Sequence, residues 1–168
     1  MIGLFVGTHD NKIDGKGRLS IPAQFRELLR KGDPDCGESG RAQMLLVLGD
    51  ETRDYIEVLT VRSIRRIAKQ IFALPPGSVE RRHLEHIYFE TATEATVDET
   101  GRIVLNARFR TKLGLSDLAT VVGVGREFRI WHPDTKKQAD TPPPSEPDAP
   151  KQDPRSFLQG DTDDDFLV

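Results

Sequence analysis

Two short segments of the chain carry an acidic and a basic side chain at the same spacing. Each reads Asp-x-x-Gly-Arg, from Asp14 to Arg18 and again from Asp98 to Arg102. A carboxylate in such a segment can accept backbone N–H groups within a turn. A guanidinium can bind a phosphate or the edge of a guanine base. These two motifs are therefore the candidates for function.

Both motifs belong to a longer internal repeat. Residues 13–29 and 97–113 align without a gap and are identical at 7 of 17 positions, where chance would give about one. The repeat predicts two copies of one small unit, related by a pseudo-two-fold axis.

The aspartate and the glycine of each motif have the chemistry of a tight turn. Gly17 and Gly101 suit a position with positive φ, which other residues adopt only at a cost. The carboxylates of Asp14 and Asp98 can accept backbone N–H groups inside that turn. We therefore interpret both aspartates as turn residues in preference to ligand contacts.

The arginine of each motif begins a predicted strand on its outward face. Arg18 and Arg102 have the geometry for a bidentate contact to guanine, worth about 1–3 kcal/mol of discrimination. Lys16 and Lys12 would bind phosphates, which set position and salt dependence. The alternative is an ion pair between Arg18 and Asp14 inside one hairpin.

The elements around each motif follow the order strand, turn, strand, helix. In the first copy Leu19 and Ile21 alternate with polar neighbours, which predicts that both point inward. Phe25 then lies on the apolar face of the predicted helix, and the second copy repeats this pattern. A hairpin should follow each helix, at 44–59 and at 121–131.

The predicted segments are a first unit at 5–59, a helical linker at 60–88, a second unit at 89–132 and a tail at 133–168. The second unit starts at Phe89 because this residue aligns with Phe5 at the 84-residue offset of the repeat. The tail is rich in proline and acidic residues and cannot bury enough apolar surface to offset its ordering entropy. We therefore expect it to be disordered.

The net charge of −3 conceals an uneven distribution. The segment from residue 134 onward holds nine acidic and four basic residues, which leaves 18 acidic and 20 basic residues before it. The body is thus slightly basic. No run of 18 apolar residues predicts a membrane span, no signal peptide is apparent, and Cys36 alone cannot form an internal disulfide. We expect a cytoplasmic protein without membrane contact.

Catalytic and metal chemistry have weak support. His83 and His86 share a predicted helix but have no third ligand at a recognisable spacing, so no metal site is predicted. Asp14 and Asp98 could form a carboxylate pair for acid–base chemistry, but no nucleophile–histidine pair or phosphate loop accompanies them. We predict no enzyme, no cofactor and no small-molecule substrate.

The tandem Asp-x-x-x-Arg motifs, with Arg18 followed by Leu-Ser-Ile-Pro, resemble the MraZ family over about residues 4–132. The resemblance implies an α+β fold in which two pseudo-symmetric SpoVT–AbrB (swapped-hairpin, AbrB-like) units form one compact β-barrel with flanking helices. It also implies a ring-like homo-oligomer that regulates transcription in bacteria. Such rings bind double-stranded DNA at short G-rich direct repeats upstream of the division and cell-wall gene cluster, which begins with their own gene. The expected location is the nucleoid.

The second motif departs from the first. It carries Glu99 and Thr100 where the first carries Gly15 and Lys16, so it is less basic, and we favour Arg18 over its counterpart as the DNA contact. The alternative function is an antitoxin-like or assembly module that binds other proteins. Two fused units speak against an antitoxin, whereas the acidic tail leaves that function open.

Overall fold

The computed structural model describes residues 2–37, 40–141 and 153–158. The strands in these residues are β1 (Thr8–Lys12), β2 (Arg18–Ser20), β3 (Gln43–Val47), β4 (Tyr55–Thr60), β5 (Thr93–Thr96), β6 (Arg102–Val104), β7 (Leu118–Gly123) and β8 (Phe128–Trp131). The helices are α1 (Ala23–Lys31), α2 (Val61–Phe72), α3 (Val79–Glu85), α4 (Ala107–Leu113) and α5 (Pro133–Asp140), with a π-helix at His86–Glu90 and a 3₁₀ turn at Pro154–Phe157.

Six strands form one antiparallel sheet in the order β1-β7-β8-β4-β3-β5, and β2 pairs with β6 in a separate two-stranded ribbon. Strands β1–β4 come from the first copy of the repeat and β5–β8 from the second. Exchanging the two copies leaves the order of the sheet and the pairing of the ribbon unchanged. The strand pairing therefore has pseudo-two-fold symmetry. The two predicted hairpins are present as β3–β4 and β7–β8.

The mixed α+β class is confirmed, but the described strands do not close into the compact barrel that the resemblance implies. Strands β1 and β5 form the two edges of the six-stranded sheet and do not pair with each other. The three-residue second strand of each copy instead lies in the ribbon, where it pairs with the second strand of the other copy. The described strands thus form an open sheet and a separate ribbon.

The apolar core lies between the sheet, the ribbon and the helices α1 and α4. Leu19 and Phe25 are fully buried and Ile21 nearly so, as the alternation predicts, and their counterpart Phe109 is fully buried too. The rings of Phe25 and Phe128 lie 5.2 Å apart between centroids, a spacing typical of stabilising aromatic pairs. This core fixes the strands that carry the two motifs.

The helices α2 and α3 connect the two copies. Phe89, which the repeat aligns with Phe5, lies in the π-helix, where 40% of its surface is exposed. It contacts Phe72 at a ring-centroid distance of 5.8 Å, whereas Phe5 is fully buried. The copies therefore differ at their N-terminal ends.

The tail is ordered at its start, contrary to the predicted disorder from residue 133. Helix α5 begins with a proline, and the His132 side chain caps it by accepting a backbone N–H. Lys136 lies 5.8 Å from the ring centroid of Trp131, which links the helix to the sheet. Local capping and one cation–π contact outweigh the polar composition here. The rest of the prediction falls largely on residues 142–152 and 159–168, which lie outside the described residues.

A cluster of charged side chains crosses the sheet where β4 pairs with β8. Glu57 is buried, lies opposite Arg129 and accepts a 2.7 Å hydrogen bond from Nη1 of Arg53. Glu127 precedes β8 and lies beside Glu57. Burial, followed by the charge of Glu57, raises the pKa of Glu127 to about 7.

Replacement of Glu127 by glutamine should flatten the pH dependence of stability. The folded protein keeps a proton on Glu127 that the unfolded chain releases between its usual pKa of 4.5 and the native value of about 7. The contribution of Glu127 to the free energy of unfolding therefore falls as pH rises through that window. Urea unfolding of Glu127→Gln from pH 4.5 to 8 should show a shallower fall, while the exposed Glu51→Gln follows the wild type. Parallel profiles for wild type and Glu127→Gln would contradict this assignment.

Candidate nucleic-acid interface

The ribbon of β2 and β6 brings both motif arginines to one face. Arg18 pairs with Val104, and Ser20 pairs with Arg102. The central residues of both strands are buried, so the flanking side chains lie on the opposite, solvent-facing side. The two motifs, 84 residues apart in the sequence, thus form one continuous surface.

The first motif forms a turn closed by its aspartate. Oδ1 of Asp14 accepts the backbone N–H of Lys16 at 2.9 Å and that of Arg18 at 3.0 Å. Gly17 has a φ of 75° and donates its N–H to the Asp14 carbonyl at 3.0 Å. The turn therefore requires both the carboxylate and the glycine.

The second motif forms the same turn. Oδ1 of Asp98 accepts the backbone N–H groups of Thr100 at 2.8 Å and Arg102 at 3.0 Å. Gly101 has a φ of 79°. The side chain of Thr100 adds one hydrogen bond to the same oxygen, at 2.8 Å.

These hydrogen bonds keep both aspartates ionised. The backbone N–H of Arg18 contributes most to lowering the pKa of Asp14 from 3.8 to about 2, and its guanidinium adds to the effect. The pKa of Asp98 is lowered chiefly by the backbone N–H of Arg102 and then by the Thr100 hydroxyl. Each turn therefore presents a fixed negative charge beside its arginine.

Each turn is also held by the other copy. The N–H of Leu105 donates to the Gly17 carbonyl at 2.8 Å, and the N–H of Ile21 donates to the Gly101 carbonyl at 3.0 Å. The Arg110 side chain packs on Gly17 and donates from Nε to the Leu105 carbonyl at 3.0 Å. Because these contacts are reciprocal, the two turns depend on each other.

One carboxylate oxygen binds both motif arginines. Oδ2 of Asp14 accepts a hydrogen bond from Nε of Arg18 at 2.7 Å and from Nη1 of Arg102 at 3.1 Å. The ion pair that the sequence left as an alternative for Arg18 is therefore present. Nε of Arg102 donates to the Thr100 hydroxyl at 2.7 Å. The arrangement is asymmetric, because Arg102 has two of its nitrogens engaged.

The arginines are still accessible. The side chain of Arg18 is 31% exposed and that of Arg102 is 25% exposed. Among the described residues, the two terminal nitrogens of Arg18 form no hydrogen bond. Lys16 is exposed in the first turn, and Lys12 is exposed at the end of β1. The DNA contacts predicted for these four residues stay a prediction.

Arg41 is a residue of this surface that the sequence reasoning missed. It forms an ion pair with Glu99 and lines the same shallow depression as Arg18 and Arg102. It lies in a polar insertion at 31–43, whose glycine, aspartate, proline and serine content predicts only a surface loop. The available signal was an arginine three residues before the strand predicted from residue 44, but the place where that strand pairs could not be read locally.

The described residues hold no candidate metal centre. Among them, no group of three or more His, Cys, Asp or Glu side chains is placed to hold a metal ion. His86 instead contacts Glu90, with 2.9 Å between Nδ1 and Oε2. None of the described helices has the length and apolar character needed to cross a membrane.

Comparison with known proteins agrees with the sequence motifs. The family model described as "MraZ protein, putative antitoxin-like" matches residues 4–49 and 88–139. A protein of Ruegeria pomeroyi named "Transcriptional regulator MraZ" is 39% identical over 159 residues, which cover 93% of this chain and 95% of the relative. A protein of the same name from Roseiflexus is 35% identical over 133 residues, covering 77% and 82%. The chain belongs to the MraZ family.

Replacement of Gly17 by alanine should destabilise the protein, whereas the same change at Gly15 should not. Gly17 has a positive φ, and an added Cβ would lie 2.9 Å from the Leu105 carbonyl oxygen. The backbone conformation alone costs about 1–2 kcal/mol for a residue with a side chain. Gly15 lies in the same turn but has no atom within 4 Å of an added Cβ. Urea unfolding measures both changes, and equal midpoints for the two variants would refute the assigned turn geometry.

Proposed function

We propose that the chain is a sequence-specific DNA-binding transcriptional regulator of the bacterial division and cell-wall gene cluster, including its own gene. It reads short G-rich direct repeats through the Asp-x-x-x-Arg motifs of an oligomeric ring. The observation that carries this proposal is the placement of Arg18 and Arg102 on the outward face of one ribbon, joined by Asp14. The relatives named as transcriptional regulators support the class of function.

A two-stranded antiparallel ribbon has the dimensions that the major groove of B-DNA admits. Asp14 orients the Arg18 guanidinium through Nε and leaves the two terminal nitrogens for the O6 and N7 atoms of a guanine. Arg102 has fewer nitrogens available, so Arg18 is the principal base contact in this proposal. Lys12 and Lys16 would bind the flanking phosphates.

A single subunit offers few phosphate contacts, because the basic residues of the body exceed the acidic ones only slightly. An oligomer compensates by engaging several DNA repeats at once, since each bound site raises the effective concentration of the next. Self-association is supported by exposed apolar side chains on the connecting helices, with Phe72 60% and Val79 70% exposed. Such exposed apolar surface often marks a protein interface.

The proposal keeps the finer organisation that the sequence implies. Each copy is an AbrB-like unit whose second strand is swapped into the ribbon, and the two units at 5–59 and 89–132 flank the linker at 60–88. The pairing of β2 with β6 across the copies supports this arrangement. No catalytic step is assigned to the motifs, and the proposed location is the cytoplasm, at the nucleoid.

Two replacements of Arg18 should distinguish its contact to a base from the effect of its positive charge. Arg18→Lys keeps the positive charge but loses the planar donor pair. It should retain most non-specific binding and lose about 1–3 kcal/mol of preference for each contacted guanine. Arg18→Ala should lose this preference and also weaken the salt dependence. Titration of a labelled duplex from upstream of the chain's own gene, with an unrelated duplex as competitor and at two salt concentrations, measures both effects.

Unchanged specific binding by Arg18→Ala would overturn the base-reading role and leave the motif as a structural turn. The melting temperature of each variant serves as the control for folding. It should stay near that of the wild type, because the ion pair of Arg18 with Asp14 is partly exposed and solvent-accessible ion pairs contribute about 0–1 kcal/mol to stability.

A duplex with several evenly spaced repeats should bind far more tightly than a duplex with one repeat. Avidity of this kind raises the apparent affinity by about 10²–10⁴. The same repeats at altered spacing provide the control, since simultaneous contacts then fail. Equal affinity for single and multiple repeats would contradict the ring mechanism. Absence of DNA binding, together with a small protein that co-purifies at a fixed ratio, would favour the antitoxin-like alternative in the family description.

A further inference from the structure

Arg41 is brought to the second motif by backbone pairing. Strand β3 pairs with β5 so that Gln43 lies opposite Thr96, and one residue further out the N–H of Val97 donates to the Ala42 carbonyl at 3.1 Å. This register puts Arg41 level with Asp98, at the start of the second turn. The position of Arg41 is therefore set by the sheet and not by a freely moving loop.

A buried carboxylate anchors the insertion that carries Arg41. Asp33, with 5% of its surface exposed, accepts the backbone N–H of Asp35 at 3.1 Å and that of Gln43 at 3.0 Å. Both limbs of the insertion are thus tied to one side chain. The returning limb then leads directly into β3.

The positive charge of Arg41 lies beside a motif that lacks the lysine of the first motif. The first turn carries Lys16 where the second carries Thr100. By the same pseudo-symmetry, Asp117 takes the place of Ala42, because its carbonyl accepts the N–H of Ile13 at 2.8 Å. The residue before it, Ser116, is uncharged. The second turn therefore has a cation beside its arginine, as the first does, but from a different segment of the chain.

We propose that Arg41 is a phosphate-binding residue of the second motif and that Glu99 binds its guanidinium until DNA replaces it. This inference rests on the proposed function. The side chains of Arg41 and Glu99 are 57% and 81% exposed, and ion pairs of this exposure contribute little stability. A DNA phosphate can therefore displace Glu99 at small cost. Glu99 weakens binding to any DNA, because its ion pair with Arg41 must break before Arg41 binds a phosphate.

The chain offers a matched control in the ion pair between Arg65 and Asp35. It also joins distant segments, and its side chains are 56% and 72% exposed, but neither residue lines the motif surface. The test compares Arg41→Ala, Arg65→Ala, Glu99→Gln and the double variant of Arg41 and Glu99. The probe is the duplex from upstream of the chain's own gene, titrated between about 50 and 200 mM salt.

Arg41→Ala should lower the slope of log K against log salt by about 1 for each bound subunit, without changing the preference for the specific duplex. Arg65→Ala should keep the wild-type slope. Glu99→Gln should strengthen binding, and this gain should shrink when Arg41 is absent. Unchanged melting temperatures exclude a loss through misfolding.

An unchanged slope for Arg41→Ala, or an equal loss for Arg65→Ala, would overturn the proposed phosphate contact. If Glu99→Gln increased DNA affinity equally with and without Arg41, the proposed exchange of Glu99 for a phosphate would be wrong. Glu99 would then weaken binding only by repelling the DNA. Failure of the proposed function looks different, because Arg18→Ala would then bind as the wild type does. Loss of binding in Arg18→Ala with no effect at Arg41 would refute this inference alone.

Discussion

The pairing of β2 with β6 is the contact on which the candidate interface depends. Each of these strands has three residues and finds its partner in the other copy of the repeat. The hydrogen bonds from Leu105 to Gly17 and from Ile21 to Gly101 extend this pairing into the turns. Neither turn can keep its shape without the opposite copy, so the two motifs form one structural element. Their arginines lie on a shared platform that the core beneath holds in place.

The local features of this platform were predictable from the sequence. Alternation at Leu19 and the apolar helix position of Phe25 predicted burial that the structure confirms. These features depend on neighbours within a few residues, where periodicity carries the information. The helix α5 was missed because composition suggested disorder, whereas the cap at His132 and the contact between Lys136 and Trp131 are individual interactions.

Features that arise between distant segments could not be read in the same way. The position of Arg41 depends on the register of β3 against β5, which local sequence does not specify. The double contact of Asp14 depends on the place where Arg102 crosses the ribbon. The open sheet likewise follows from where two three-residue strands pair, which no local pattern contains. The sequence therefore predicted the two motif turns and their strands more reliably than the differences between the two motifs.

The fusion of both copies in one chain has a consequence for how this interface can evolve. In a homodimer of single units, every substitution occurs twice, once on each side of the symmetry axis. The fused chain removes that restriction, so Thr100 can replace a lysine in one half while Lys16 persists in the other. Under the proposed function, one half can then specialise in recognising a base while the other adjusts the strength of the attachment. The repeat thus provides two similar halves, and their covalent linkage allows the two halves to take different roles.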